Sequence, residues 1–281
     1  MGVRTIASNT VQWQPARDAV KVGVRGYAYA RGAMRSATGS LPAVVNLYTA
    51  SSPKGGSQFM KELFSHPTVA AHTGLFTLPQ RLYQEHLDHA VPAGTYIPGV
   101  HMTWEEFQGW PKAGAWRAIY MFRDPREIFV SGYFSAVGVH RAMPRVERFR
   151  EHLRTLPLAQ GLLESIEFGA HRITEMGTWV AVEHPDVLLL RLEDVEADPQ
   201  TWVPKMLEHA GVALSAPEMA AVLSDVSREA MQARDLAQRP DGSESHYRVD
   251  RQGFRDLFGP EHFAACEAAS PGLARRLGYE D

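Results

Sequence analysis

Cysteine is nearly missing from this chain: one residue, Cys266, in 281. That excludes an intramolecular disulfide and a cysteine-rich zinc site, and it fits a reducing compartment. Long apolar runs are missing too. No stretch approaches the roughly 20 consecutive apolar residues that a membrane-spanning helix needs, and residues 1–35 hold no compact secretory-type hydrophobic segment. Positive charge is not in excess either, since 29 Lys and Arg stand against 32 Asp and Glu for a formal net charge of −3. No global field therefore draws the protein to nucleic acid or to an anionic membrane, and any anion site must be local. A cytoplasmic protein with neither of those partners is the expectation. Repeats, heptad runs and long linkers are also absent, and 44% hydrophobic content is enough to bury one large core.

What is present centres on Tyr48–Phe59. Val44-Val45-Asn46-Leu47-Tyr48 is short, apolar and β-branched, whereas Gln58–Phe64 has helical spacing, so Ser51-Ser52-Pro53-Lys54-Gly55-Gly56-Ser57 joins a buried strand to a helix. A phosphate fits such a loop. Two glycines let backbone N–H groups turn toward an anion, the helix N-terminus adds partial positive charge, and Lys54 adds a full one. An ordinary strand-to-helix turn with a surface lysine fits the same residues. The loop is not a Walker A motif, in which the lysine follows the last glycine, because Lys54 precedes Gly55-Gly56-Ser57.

Further along, Leu75–Val91 has the spacing of a second helix carrying His86 and His89, whose three-residue separation lacks a third ligand. No metal site is expected. Thr95–Met102 reads as a strand interrupted by Pro98-Gly99, with His101 at its end. Trp116–Phe122 and Val187–Leu192 are continuous buried-strand patterns. Arg123-Asp124-Pro125-Arg126-Glu127 then opens a helix, Pro157–Glu183 is helical, Asp198-Pro199 starts a helix that Gly211 stops, and Pro217–Leu236 is helical again. Strands alternating with helices predict an α/β fold, a P-loop-like central parallel β-sheet flanked by helices on both faces. Residues 1–40 show weak periodicity and are expected to form an N-terminal arm or lid on a domain spanning 41–281.

Four of these stretches, in order along residues 44–262, resemble the sulfotransferases that use 3′-phosphoadenosine 5′-phosphosulfate. Pro53-Lys54-Gly55-Gly56-Ser57-Gln58-Phe59 is similar to the family's 5′-phosphosulfate loop, P-K-[ST]-G-T-[TS]-W. Phe122-Arg123-Asp124-Pro125-Arg126-Glu127 through Ser131 resembles the 3′-phosphate motif, F-R-[ND]-P-R-D-x-x-x-S. Leu192-Glu193-Asp194 to Pro199 resembles Y-E-D-x-x-x-x-P with leucine for tyrosine, and Arg248–Phe258 with Pro260-Glu261 resembles the loop that covers the nucleotide. Departures are Gly55 and Gln58 in place of hydroxyl residues, Phe59 in place of tryptophan, and Arg248-Val249-Asp250 in place of Arg-Lys-Gly.

The resemblance implies a soluble, small-molecule-type sulfotransferase. The 5′-phosphosulfate would lie on Lys54, Gly55, Gly56, Ser57 and Gln58, and the 3′-phosphate on Arg123 and Ser131, with Arg248 and Arg251 closing over the nucleotide. Phe59 and Ser227 would flank adenine, although Phe59 equally fits a core position. Sulfuryl transfer leaves negative charge on the departing phosphate, which Lys54 would meet. The acceptor hydroxyl needs a general base, and His101 stands where the family's small-molecule branch has its catalytic histidine. Glu105 and Glu106 compete, because glycan-directed members use a glutamate. The family's lysine two residues before that histidine is replaced by Gly99. Trp104, Phe107, Trp110, Tyr133 and Phe134 suggest an apolar wall for a phenol, alcohol or natural product, although each taken singly fits the core as well. Rival readings are a glycan-directed sulfotransferase, a P-loop kinase, and a non-catalytic nucleotide-binding protein on the same scaffold.

Overall fold

A computed structural model of the chain describes residues 14–78, 82–83, 87–139, 144–238 and 252–279. In order these form α1 (Gln14–Ala37), β1 (Asn46–Ser51), α2 (Ser57–Ser65), α3 (Pro67–Thr73), β2 (Phe76–Thr77), β3 (Thr95–Val100), α4 (Trp104–Gly109), β4 (Trp116–Phe122) and α5 (Pro125–Phe134). After a π turn (Ser135–Val139) come α6 (Pro144–Arg154), α7 (Leu158–Trp179), β5 (Val187–Arg191), α8 (Leu192–Ala197), α9 (Pro199–His209), α10 (Ala216–Asp225), α11 (Arg228–Ala237), α12 (Phe254–Leu257), α13 (Pro260–Ala269) and α14 (Leu273–Arg276). The strands make one parallel sheet in the order β2-β3-β1-β4-β5. This is the expected α/β architecture, with helices on both faces.

Period-two alternation in the strands explains the two faces. Leu47, Tyr96, Ile119 and Met121 point to the side covered by α2, α3, α9 and α10, where Met60, Leu63, Val69, Val203, Met206 and Val222 are buried. Tyr48, Ala50, Ile97, Ala118 and Tyr120 point to the other side, against α4, α5, α7 and α13. Each fully buried Leu, Ile or Phe among them contributes about 1.5–3 kcal/mol. Helix starts follow their local chemistry. Asp124 accepts the Arg126 N–H at 2.9 Å ahead of Pro125, and Asp198 accepts the Thr201 N–H at 3.0 Å ahead of Pro199.

Two segments differ from their sequence patterns. The apolar spacing of Leu75–Val91 does not make a helix in its described part: Phe76–Thr77 adds edge strand β2, and Leu82 and Tyr83 lie buried in a turn. Docking onto the sheet buries those leucines without helical periodicity. The expected single helix over 217–236 is broken at Val226-Ser227, because Ser227 caps a new helix by accepting the Ala230 N–H at 3.3 Å. Residues 14–37 are helical, and the second half of α1 docks beside the starts of β2 and β3, where Arg31 and Arg35 donate to the Gly74 carbonyl at 2.7 and 2.5 Å. Among the described residues no helix is long and apolar enough to cross a membrane.

Candidate active site

The carboxyl ends of β1, β3, β4 and β5 share one edge of the sheet, the place where parallel α/β sheets present loops to ligands. After β1 the backbone turns sharply: the Gly55 N–H donates to the Ser52 carbonyl at 3.0 Å, Lys54 takes φ 72° and Gly56 takes φ 102°. Gly56 is the N-cap of α2 and has no side chain to cap it. The first-turn amides of Ser57, Gln58 and Phe59 are thus left for an external acceptor, which suits an anion such as a phosphate. A Cβ at Gly56 would overlap the Met121 sulfur, so the loop lies hard against β4.

Lys54 turns back over the sheet edge and donates to Ser135 Oγ at 2.5 Å. Burial, with added repulsion from Arg172 and Arg123, lowers its pKa to about 8. A cation held so reluctantly gains strongly from an approaching anion. Arg123, at the end of β4, is buried and bonds Glu127 Oε2 at 2.9 Å, one helical turn on. Glu127 Oε1 also accepts the Phe254 N–H at 3.1 Å, which ties the Arg123 end of the site to the segment before α12. Ser131 is half-buried on α5, two turns from Arg123.

His101 owes its position to an irregularity. Tyr48 pairs with Ile97 but Ala50 pairs with Val100, so Pro98 and Gly99 together oppose one residue of β1. Gly99 takes φ 67° in this bulge, a conformation that a lysine would adopt only under strain. A lysine at this position would therefore not fit the backbone this chain adopts. Beyond the bulge, the His101 Nδ1–H donates to the Ser51 carbonyl at 2.5 Å, which leaves Nε2 as the lone-pair nitrogen. Burial chiefly, and Arg172 after it, lowers the His101 pKa. The neutral imidazole is therefore the form at neutral pH.

Helix α7 forms the far wall. It is pinned to the loops by Ser52 Oγ to Met176 Sδ at 3.7 Å, Trp104 N to Thr178 Oγ1 at 2.8 Å, and Trp179 Nε1 to the Met102 carbonyl at 2.8 Å. Arg172, one turn before Met176, acts electrostatically on both Lys54 and His101. Nothing in the sequence singled it out, because a lone arginine inside a long helix resembles a surface residue. Glu175 beside it has a raised pKa from partial burial.

The remaining sequence expectations fall as follows. Gln58 is exposed, and Phe59 packs partly against the core on the α2 face. Ser227 spends its hydroxyl on capping α11. Glu105 is exposed, and Glu106 completes a capping box with Thr103, accepting the Thr103 N–H at 2.8 Å. Phe107 and Trp110 do not line a pocket: Phe107 packs edge-on against Tyr48 and Trp110 stacks on Tyr83, because the α4 side of the sheet needs bulk there. Trp104 and Phe134 are half-buried and Tyr133 is buried. Arg248, Arg251 and His86 lie outside the described residues. Among the described residues, no group of three or more His, Cys, Asp or Glu could hold a metal.

Comparisons with known proteins agree with this fold. The solved structure of mouse sulfotransferase SULT7A1 complexed with PAP superposes with TM-score 0.57 at 17% identity, over 85% of this chain and 90% of that one. Retinol dehydratase in complex with androsterone and PAP gives 0.53 at 14% identity, over 86% and 84%. At such identity the likeness concerns the fold. No curated protein matches the sequence. The sulfotransferase domain family matches residues 46–257, three-quarters of the chain with residues 53–57, His101 and Arg123 inside the match, and the chain belongs to that family.

Proposed function

We propose that this chain transfers a sulfuryl group from 3′-phosphoadenosine 5′-phosphosulfate to a hydroxyl of a small-molecule acceptor. The observation that carries the reading is the pairing of Lys54 and His101 at one sheet edge. His101 is held by the Ser51 carbonyl, three residues before Lys54, and both feel the same Arg172. The bound donor supplies an electrophilic sulfur and a phosphate leaving group. His101 Nε2 takes the acceptor's hydroxyl proton as the acceptor oxygen attacks, and its neutral state at pH 7 suits it to that role. Lys54 meets the charge left on the 5′-phosphate oxygen as the sulfur–oxygen bond breaks, with the α2 amides beside it. Arg123 and Ser131 hold the 3′-phosphate, which distinguishes this nucleotide from ATP. Arg172 adds positive charge on the acceptor side, where the family's lysine is replaced by Gly99. Glu106 is engaged in capping α4, which favours His101 as base and a small-molecule acceptor over a glycan-directed arrangement. Solved structures of retinol dehydratase, which has the same fold, hold PAP together with androsterone or retinol, in keeping with this assignment.

Calorimetric titration with 3′-phosphoadenosine 5′-phosphate, against ADP and ATP with and without Mg²⁺, tests the donor half. Selective, metal-independent binding is expected, weakened about 10- to 150-fold in Arg123→Ala, as loss of a charge-assisted bond implies. Tighter Mg²⁺-dependent ATP binding would mark a kinase instead. Tight product binding with no turnover on a panel of phenols and alcohols would mark a non-catalytic nucleotide binder.

A further inference from the structure

Helix α1 is amphipathic in reverse. From residue 19 onward its cations Lys21, Arg25, Arg31 and Arg35 are half-buried on one helical arc, from which Arg31 also donates to the Gly94 carbonyl at 3.2 Å. The outward side carries no charge: Ala19, Val20, Val22, Gly23, Gly26, Tyr27, Tyr29, Ala30, Ala33, Met34, Ser36 and Ala37 are all exposed. Val22 and Tyr27 are 59% exposed and Met34 is 62% exposed. Five of the nine exposed large hydrophobic residues among those described lie on this one helix face, too many in one place to be scattered surface residues.

The face also has a shape. At 100° per residue, Val20, Tyr27 and Met34 form one ridge and Val22 and Tyr29 another, each at an edge of the face: the Tyr27 ring meets Phe76 edge-on at 5.5 Å, and the Tyr29 hydroxyl donates to the Ala90 carbonyl at 2.9 Å. Between the ridges run only small residues. Gly23 and Gly26 are poorer helix formers than alanine in an exposed helix interior, and a Cβ on either would touch nothing among the described residues. Gly32, on the opposite face, shows what a glycine does in this helix when it has a partner: its Cβ would stand 2.6 Å from the Ala93 carbonyl oxygen, so it permits close docking.

We propose that the outward face of α1 is an interface with a second copy of this chain, the two helices packing ridge into groove across a two-fold axis. Charge selects this occupant. An acidic or basic partner would bury its charges against a face with nothing to pair them, and lipid headgroups would find no outward cation. A second α1 brings an equally uncharged, self-complementary surface, the requirement of an isologous contact. Residues 19–37 span about 28 Å along the helix, so such a face buries about 500 Å² per copy and about 1,000 Å² per pair, the lower edge for a specific interface. The dimer is accordingly weak and concentration-dependent.

Sedimentation velocity of the full chain between about 1 and 200 μM tests this, together with Gly26→Leu and Tyr27→Glu. Gly26→Leu fills the groove yet raises helix propensity, so the fold survives and thermal unfolding should not drop. The wild type should pass from monomer to dimer across the range, with both variants at least tenfold weaker in association. A wild type that stays monomeric to 200 μM overturns the proposal, as does a dimer that both variants leave unchanged. Retention of the monomer on phosphatidylcholine or phosphatidylserine vesicles, lost in Tyr27→Glu, would overturn it in favour of a membrane surface.

Discussion

Lys54 offers the most direct test of the site's electrostatics. Its pKa of about 8, against an ordinary 10.5, corresponds to about 3 kcal/mol favouring loss of the proton. Burial is the larger cause, followed by Arg172 and Arg123. A phosphate dianion brought to the ammonium reverses that balance and restores the proton. At pH 8.5 about three-quarters of the free protein has Lys54 neutral, so binding of 3′-phosphoadenosine 5′-phosphate should take up about three-quarters of a proton; at pH 7 the uptake falls to about a tenth. Titration calorimetry in buffers of differing ionisation enthalpy reads this number directly. His101, with its pKa lowered from 6.5, is neutral in the free protein at pH 8.5. Lys54→Met should lose the uptake and bind more weakly, whereas Lys54→Arg, charged at every pH used, should bind without uptake. In the free protein the same lysine opposes folding below pH 8 and ceases to do so as pH rises toward 10.5, because over that window the unfolded chain binds more protons. No proton uptake by the wild type at pH 8.5, or the same uptake in Lys54→Met, would refute the placement of the 5′-phosphate on this residue.

Other expectations follow from the same geometry. His101→Ala should lower kcat by about 10²- to 10⁴-fold while leaving product affinity within about twofold, and the acid limb of the wild-type kcat/KM profile should fall below pH 6.5, as the lowered His101 pKa requires. Glu105→Ala and Glu106→Ala should keep wild-type turnover, with Glu106→Ala losing about 0.5–1 kcal/mol of stability through its cap; turnover lost in either glutamate variant and kept in His101→Ala would move the base to that carboxylate. Gly56→Ala forces a Cβ onto the Met121 sulfur and strains a backbone at φ 102°, so it should cost about 1–3 kcal/mol, and an unchanged thermal midpoint would show that the loop relaxes freely.

Local chemistry was sufficient for much of this protein. The apolar strands Trp116–Phe122 and Val187–Arg191 announce a sheet covered on both faces, since only full burial tolerates such runs. Proline and aspartate at 124–125 and 198–199 fix helix starts through their own backbone geometry, and the glycines and lysine of 53–57 mark the strand-to-helix turn after β1 because they act within a few residues of one another. Contacts between distant segments were not legible. The aromatic residues of α4 look identical in sequence whether they line a pocket or fill a core, and only packing against Tyr48, Tyr83 and Trp179 decided that Phe107 and Trp110 fill it. The helix pattern of Leu75–Val91 yielded to strand β2, because Phe76 and Thr77 pair with Thr95 and Tyr96 of β3, a neighbour the local sequence cannot name. Arg172 acts on Lys54 and His101 only because α7 passes the loop that follows β1, and the direction of α1's charged face depends on which side of that helix meets the sheet. What acts along the chain was determined by sequence, and what acts across it by tertiary structure, since a side chain's neighbours through space set its burial and therefore its pKa, its partners and its role.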